Sequence, residues 1–366
     1  MMSKLIDYVN WRGDLTFDVV PFNQVDAALL SQISLLDLDN TLPENESITF
    51  EEMFNKYLEN GHELSEPIGF LVSNKQNYLF EAMSKAERYK NLKVSNYVRI
   101  YNEETICQFE AITFDIGDKV VISYGGTDDT ILGWHEDFTL IHTDTITAHY
   151  HGLEYLKEIS DKFNKDILIC GHSKGANIAI VSALRINEEV FDRISFVYCF
   201  DGPGICREFF DEHVLEKRMN KIMSYVPYHA SIGKLFDHFE NYKIVACSAN
   251  FAFQHDLVNW QVNCNDFVYK TAISNDAIYI DNFIKTTLSE MTTDEKKRFV
   301  NASFNLSYST GAKTLTELSK NKLKLVTNLL KSPKEDREIL RKILLRKILR
   351  DQKVRRIILS SLRRNR

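Results

Sequence analysis

The chain has 366 residues, 44% of them hydrophobic and 26% charged, with a formal net charge of −6. That is room for one large α/β domain with an appendage, and the makeup of an ordinary globular protein. No run of 18 apolar residues occurs, which excludes a membrane-spanning helix. The start, Met1-Met2-Ser3-Lys4-Leu5-Ile6-Asp7-Tyr8, lacks the apolar centre of an export signal. Six scattered cysteines form no C-x-x-C pair, so a reducing cytoplasm is expected and neither a metal site nor a cofactor is indicated.

In chain order, helical apolar spacing marks 23–36, 51–58 and 77–89, and strand-like alternation marks 92–101 and 106–114. Buried strands then alternate with helices: strands at 119–124, 166–170, 194–200, 222–226 and 242–248, helices at 149–163 and 207–218. Such alternation implies a mostly parallel sheet with helices on both faces. From about 276 the pattern is helical. The expected division is a hydrolase-like domain over 1–275, a helical extension over 276–330 and a basic amphipathic tail over 331–366.

The chemistry centres on Gly171-His172-Ser173-Lys174-Gly175, between the apolar run 167–170 and the helical run 176–184. A G-x-S-x-G between strand and helix is the nucleophile elbow of an α/β-hydrolase, with Ser173 as nucleophile. The base should follow the nucleophile in the chain; His213, His229, His238 and His255 qualify. His255 stands after the 242–248 strand and is favoured. Asp201, in Phe200-Asp201-Gly202-Pro203-Gly204, ends a strand at the carboxyl edge of the sheet and is the favoured acid; Asp237 is the alternative. The oxyanion hole should combine the Lys174 N–H with one from the turn Tyr124-Gly125-Gly126-Thr127-Asp128-Asp129, where Gly126 and Thr127 are the candidates and the Thr127 hydroxyl could add to it. The segment Trp134-His135-Glu136-Asp137-Phe138 reads either as a cover over the site or as a helix start packed on the domain. His142, His149 and His151 lack metal-ligand spacing.

Together with Gly133-Trp134-His135-Glu136-Asp137-Phe138, Gln254-His255-Asp256 and Trp260, these motifs resemble the Mbeg-like proteins, bacterial α/β-hydrolases of uncharacterised function related to class 3 lipases. Trp11-Arg12-Gly13-Asp14-Leu15, Pro21-Phe22-Asn23-Gln24-Val25-Asp26 and Thr310-Gly311-Ala312-Lys313-Thr314-Leu315 fit as well. The resemblance implies a lipase-like sheet, Ser173 as nucleophile and Thr127 in the oxyanion loop. Two positions depart from class 3 lipases: Gly126 replaces an Arg, and Ser224 in Ser224-Tyr225-Val226-Pro227 stands where their acid lies. The second departure points to Asp201.

The tail from Lys331 to Arg366 carries fourteen Lys and Arg against four acids, a net of +10 that leaves −16 on the rest. Basic residues interleave with Leu340, Ile343, Leu344, Ile348, Val354, Ile357, Ile358 and Leu362, a pattern suited to an anionic membrane, an acidic partner or the acidic body itself. No nucleic-acid fold signature accompanies it. The expected function is a serine esterase or lipase acting on an acyl ester or lipid. The alternative is a weakly active or inactive relative that binds a membrane or partner through the tail.

Overall fold

The computed structural model describes residues 3–343 and 351–363 apart from 45, 67, 70, 71, 207–209, 231, 237, 239–241 and 250; side chains are described to 357 and not at 251 and 252. Its strands are β1 (Ser3–Lys4), β2 (Ile48–Thr49), β3 (Lys93–Asn102), β4 (Cys107–Asp115), β5 (Lys119–Tyr124), β6 (Asp166–His172), β7 (Ile194–Phe200), β8 (Ile222–Pro227), β9 (Tyr242–Val245), β10 (Gln261–Asn263), β11 (Asp266–Phe267) and β12 (Tyr269–Lys270). Among the described residues, nine of them form one sheet in the order β12-β9-β8-β7-β6-β5-β4-β3-β2. The central strands β5 to β9 run parallel, and both flanks are antiparallel. The fold is therefore α/β, of the α/β-hydrolase kind, with helices on both faces of a sheet whose centre is parallel.

Alternation along β6 explains the two layers. Leu168 and Cys170 face one core and Ile167 and Ile169 face the other, because successive side chains of a strand point to opposite faces. Helices Thr147–Lys162 and Lys174–Arg185 cover the second face. The first face is covered by N-terminal elements, chiefly helix Gln24–Ile33, which lies across β6 and is tied to β5 through Ser34 Oγ and Ser123 Oγ at 2.9 Å. That helix starts at Asn23, whose side chain accepts from the Val25 N–H at 2.8 Å, while the Asp26 carboxylate reaches back to the Asn23 N–H at 3.0 Å. Asp26 is also the partner of fully buried Arg88, Nη2 to Oδ2 at 2.6 Å and Nε to Oδ1 at 2.8 Å.

Several boundaries differ from the sequence reading. The helix expected over 77–89 is Lys75–Lys85, and the one over 207–218 is Glu212–Arg218 among the described residues. The strand expected over 242–248 ends at Val245; beyond it Cys247 makes only an isolated bridge with Trp260. It is not the last strand either, since the short β12 pairs with it from the far side. Two-residue strands such as β1, β11 and β12 carry too few residues for any alternation to show.

Among the described residues the chain beyond 275 carries the helices Asn275–Ser289, Thr293–Tyr308, Leu315–Lys320, Lys322–Lys331, Lys334–Leu340 and Gln352–Arg363. Among the described residues no helix is long and apolar enough to cross a membrane.

Candidate active site

β6 delivers Ser173 into a backbone conformation with φ +56° and ψ −126°, directly ahead of helix Lys174–Arg185. A non-glycine residue there costs about 1–3 kcal/mol, held by the surrounding structure. What holds it is close approach. A Cβ on Gly171 would lie 2.3 Å from the Gly175 carbonyl, and one on Gly175 would lie 2.2 Å from Tyr124 O. Neither position has room for any side chain, which is why glycines flank the serine. The Ser173 N–H donates to Phe200 O at 3.0 Å, fastening the turn to the end of β7.

Asp201 follows at that same strand end, also with positive φ, +45°. It is 1% exposed. Its N–H donates to Tyr225 O at 2.8 Å. Oδ1 accepts the Gly233 N–H at 3.0 Å, and Oδ2 lies 2.6 Å from His255 Nδ1. A Cβ on Gly233 would fall 2.2 Å from Asp201 Oδ1, so only glycine lets that N–H reach the carboxylate. An imidazole whose Nδ1–H is given to a carboxylate presents Nε2 as a free base.

The loop carrying His255 is held against the elbow by His172. His172 Nε2 donates to His255 O at 2.8 Å, and the two rings lie 4.4 Å apart. Burial pushes the His172 pKa well below its ordinary value, so it is a neutral donor here. Asp256 turns away from His255: its carboxylate accepts from the N–H groups of Ser73 at 3.3 Å and Val258 at 3.2 Å.

The turn Gly125–Thr127 lies beside the serine. A Cβ on Gly126 would meet His172 O at 2.9 Å and Ser173 Cβ at 3.5 Å. Among the described residues, no acceptor is paired with the backbone N–H of Lys174 or of Thr127. The Thr127 hydroxyl is already committed, donating to Asp137 Oδ2 at 2.5 Å. The hydroxyl is therefore turned to Asp137, while the backbone N–H is left for another acceptor.

Lys174 has a second part that its place in the motif did not announce. Its side chain is fully buried, with Nζ donating to Gln108 O at 2.7 Å and Glu136 Oε2 at 3.1 Å. Glu136 also accepts the N–H groups of Gln108 and Ala148, at 3.0 and 2.9 Å. This buried ion pair joins the elbow helix, β4 and two further helices beside the Gly125–Thr127 turn, whose Gly126 O accepts from Gln108 Nε2 at 3.3 Å. Charge interaction with Glu136 and Asp137 outweighs burial and raises the Lys174 pKa, while burial pushes Asp137 up to about 6.

The segment 134–138 belongs to helix Ile131–Thr139, capped by Thr130 and packed on Thr293–Tyr308. Trp134 and Phe138 join Val300 and Phe304, and His135 stacks on Phe304 at 4.5 Å. The reading as a packed helix start is the one the structure favours. Other histidines serve elsewhere: His229 Nδ1 meets Ser274 Oγ at 2.5 Å, His238 lies by Tyr242, and His213 sits in helix Glu212–Arg218. Buried His149 donates through Nε2 to Asn177 Oδ1 at 2.7 Å. Asp237, the alternative acid, lies outside the described residues.

Residues 83–305 match the sequence model of the family described as Mbeg1-like. No curated protein matches the chain significantly in sequence. Among solved structures, a fungal lipase–inhibitor complex is 13% identical, with 62% of this chain and 81% of that chain covered and a TM-score of 0.38. The Rhizomucor miehei lipase–propeptide complex is 13% identical, covering 61% and 68%, with a TM-score of 0.37. The Lip2 lipase of Yarrowia lipolytica is 12% identical, covering 64% and 89%, with a TM-score of 0.35.

Proposed function

Since the chain belongs to the Mbeg1-like family, whose description names no reaction, we propose from the site itself that it is a serine hydrolase of esterase or lipase type. The observation that carries this is the 2.6 Å Asp201–His255 pair beside a serine at φ +56° on a strand-to-helix turn. Ser173 Oγ attacks the acyl carbonyl carbon as its proton passes to His255 Nε2. The tetrahedral oxyanion takes hydrogen bonds from the N–H groups of Lys174 and the Gly126–Thr127 turn. Its collapse breaks the bond to the leaving oxygen, and the imidazolium protonates the departing alcohol. Water, deprotonated by the same nitrogen, then frees the acid and restores Ser173. Buried Asp201 keeps the imidazole in the required tautomer and balances its charge. Lys174 and Glu136 position the elbow from below.

The test is labelling by a fluorophosphonate probe. Wild type should label, and Ser173→Ala and His255→Ala should not. Folded wild-type protein that resists the probe, at a concentration that labels a known serine esterase, would refute the reading.

A further inference from the structure

Helix Lys322–Lys331, Lys-Leu-Lys-Leu-Val-Thr-Asn-Leu-Leu-Lys, has two apolar sides. Leu329 packs inward, against the cluster of Met291, Ile339 and Leu340. Leu323, Val326 and Leu330 do not: they are 84%, 59% and 72% exposed. Their spacing of three and four residues sets them in one stripe along the helix. Single exposed apolar residues are ordinary, but three aligned on one helix mark an interaction surface.

The charge around the stripe identifies the partner. From 313 to 334 the chain carries Lys313, Lys320, Lys322, Lys324, Lys331 and Lys334 against the single acid Glu317, a net of +5 in a protein of net −6. A second copy seated stripe to stripe would oppose lysines with lysines. A nucleic acid would use the lysines and leave the leucines in water. An anionic bilayer surface uses both: leucine and valine enter the boundary between headgroups and acyl chains, and the lysine stems reach up to the anionic headgroups.

We propose that this helix is a docking element for anionic lipid surfaces. The basic tail is a poorer candidate, because the apolar residues described in it, Leu340, Ile343, Val354 and Ile357, are buried. The docking helix is also wired to the candidate active site. The helix just before it, Leu315–Lys320, is entered through residues that pair with the turn after Thr127. The Ile131 N–H donates to Lys313 O at 2.8 Å, the Leu315 N–H donates to Asp129 O at 2.8 Å, and Thr130 bridges Thr314. Docking therefore holds the oxyanion turn at a fixed relation to the membrane. The docking surface stands independently of whether Ser173 is a nucleophile.

The experiment is flotation of the full chain with vesicles of phosphatidylcholine alone and of phosphatidylcholine with phosphatidylglycerol, at low and high salt. Wild type should float with the anionic vesicles, and less so at high salt. Replacing Leu323, Val326 and Leu330 together by serine should cut the bound fraction roughly tenfold or more, with an unchanged thermal transition. Replacing Lys320, Lys322, Lys324 and Lys331 by glutamine should abolish the preference for anionic lipid. Arg355→Gln with Arg356→Gln, in the tail helix, should change little. Failure of wild type to float at low salt would overturn the proposal, as would a serine variant that floats like wild type. A wild-type dimer that the serine variant turns into a monomer would assign the stripe to a second copy instead.

Discussion

Replacing Asp201 by asparagine tests the proposed triad with little change in shape. The carboxylate now takes two hydrogens, from the Gly233 N–H at 3.0 Å through Oδ1 and from His255 Nδ1 at 2.6 Å through Oδ2. Asparagine keeps one acceptor, and the backbone Gly233 N–H, fixed in place, claims it. The amide NH2 then faces His255 Nδ1, which must become an acceptor. The ring proton moves to Nε2, and the base that should deprotonate Ser173 is gone. The scale for such a tautomer error is a loss of about 10⁴ in kcat, or about 5 kcal/mol of transition-state stabilisation. Folding should hardly change, since both partners of the side chain still find a hydrogen bond. The assay is hydrolysis of short-chain nitrophenyl esters together with the rate of fluorophosphonate labelling, on protein whose melting transition matches wild type. Asp237→Asn serves as the comparator and should retain wild-type activity. Retention of more than roughly a tenth of wild-type kcat/KM by Asp201→Asn would refute the assignment. A large loss in Asp237→Asn instead would move the acid to that residue.

Two further outcomes concern the scaffold. Arg88→Met strands the Asp26 carboxylate, which is buried with Arg88 as its only cationic partner within hydrogen-bond distance among the described residues. It should cost about 3–5 kcal/mol by calorimetry or denaturant titration, and a loss below about 1 kcal/mol would show that the pair is dispensable. Burial holds the His149 imidazole down at about 4, against 6.5 in the unfolded chain. Its contribution is therefore complete above pH 6.5 and is lost as pH falls from 6.5 towards 4, by up to about 3 kcal/mol, because the unfolded state takes the proton first. His149→Gln should flatten this slope between pH 7 and pH 5 in denaturant titrations; an identical slope would assign the acid sensitivity to other groups.

Much of the parallel core was legible in the residues. The runs 119–124, 166–170 and 194–200 became β5, β6 and β7 within two residues, because strands buried on both faces are continuously apolar. The flanking helix expected over 149–163 showed its period because it buries one side only. What blurred was local and weak: the two-residue strands, and the end of β9, where apolar residues continue past the point at which ladder pairing stops. The N-terminal segment read as a mixture of helices and strands without a place. The structure makes it the layer that closes one face of the sheet, a role set by which exposed core it meets and not by its own pattern.

The candidate site divides in the same way. Gly171, Ser173 and Gly175 point to an elbow once the apolar run before them and the helical run after them are read with them, and the 2.2–2.3 Å clearances at the two glycines admit no side chain. The nomination of Asp201 and His255 rested on order along the chain and position at strand ends, which are consequences of topology that sequence can express. Their 2.6 Å approach and the donation from His172 that pins the His255 loop join residues far apart in the chain, and the diversion of the Thr127 hydroxyl to Asp137 spans a loop and a helix. The same holds for the C-terminal region. Its charge was plain in the sequence, but Val354 and Leu323 look alike as letters, and only packing buries the first and leaves the second in water. Local backbone demands and apolar periodicity act between near neighbours, so the sequence alone determined the elements and the elbow. Which distant groups meet, and which apolar face stays uncovered, depends on how those elements pack, and that the tertiary structure alone decided.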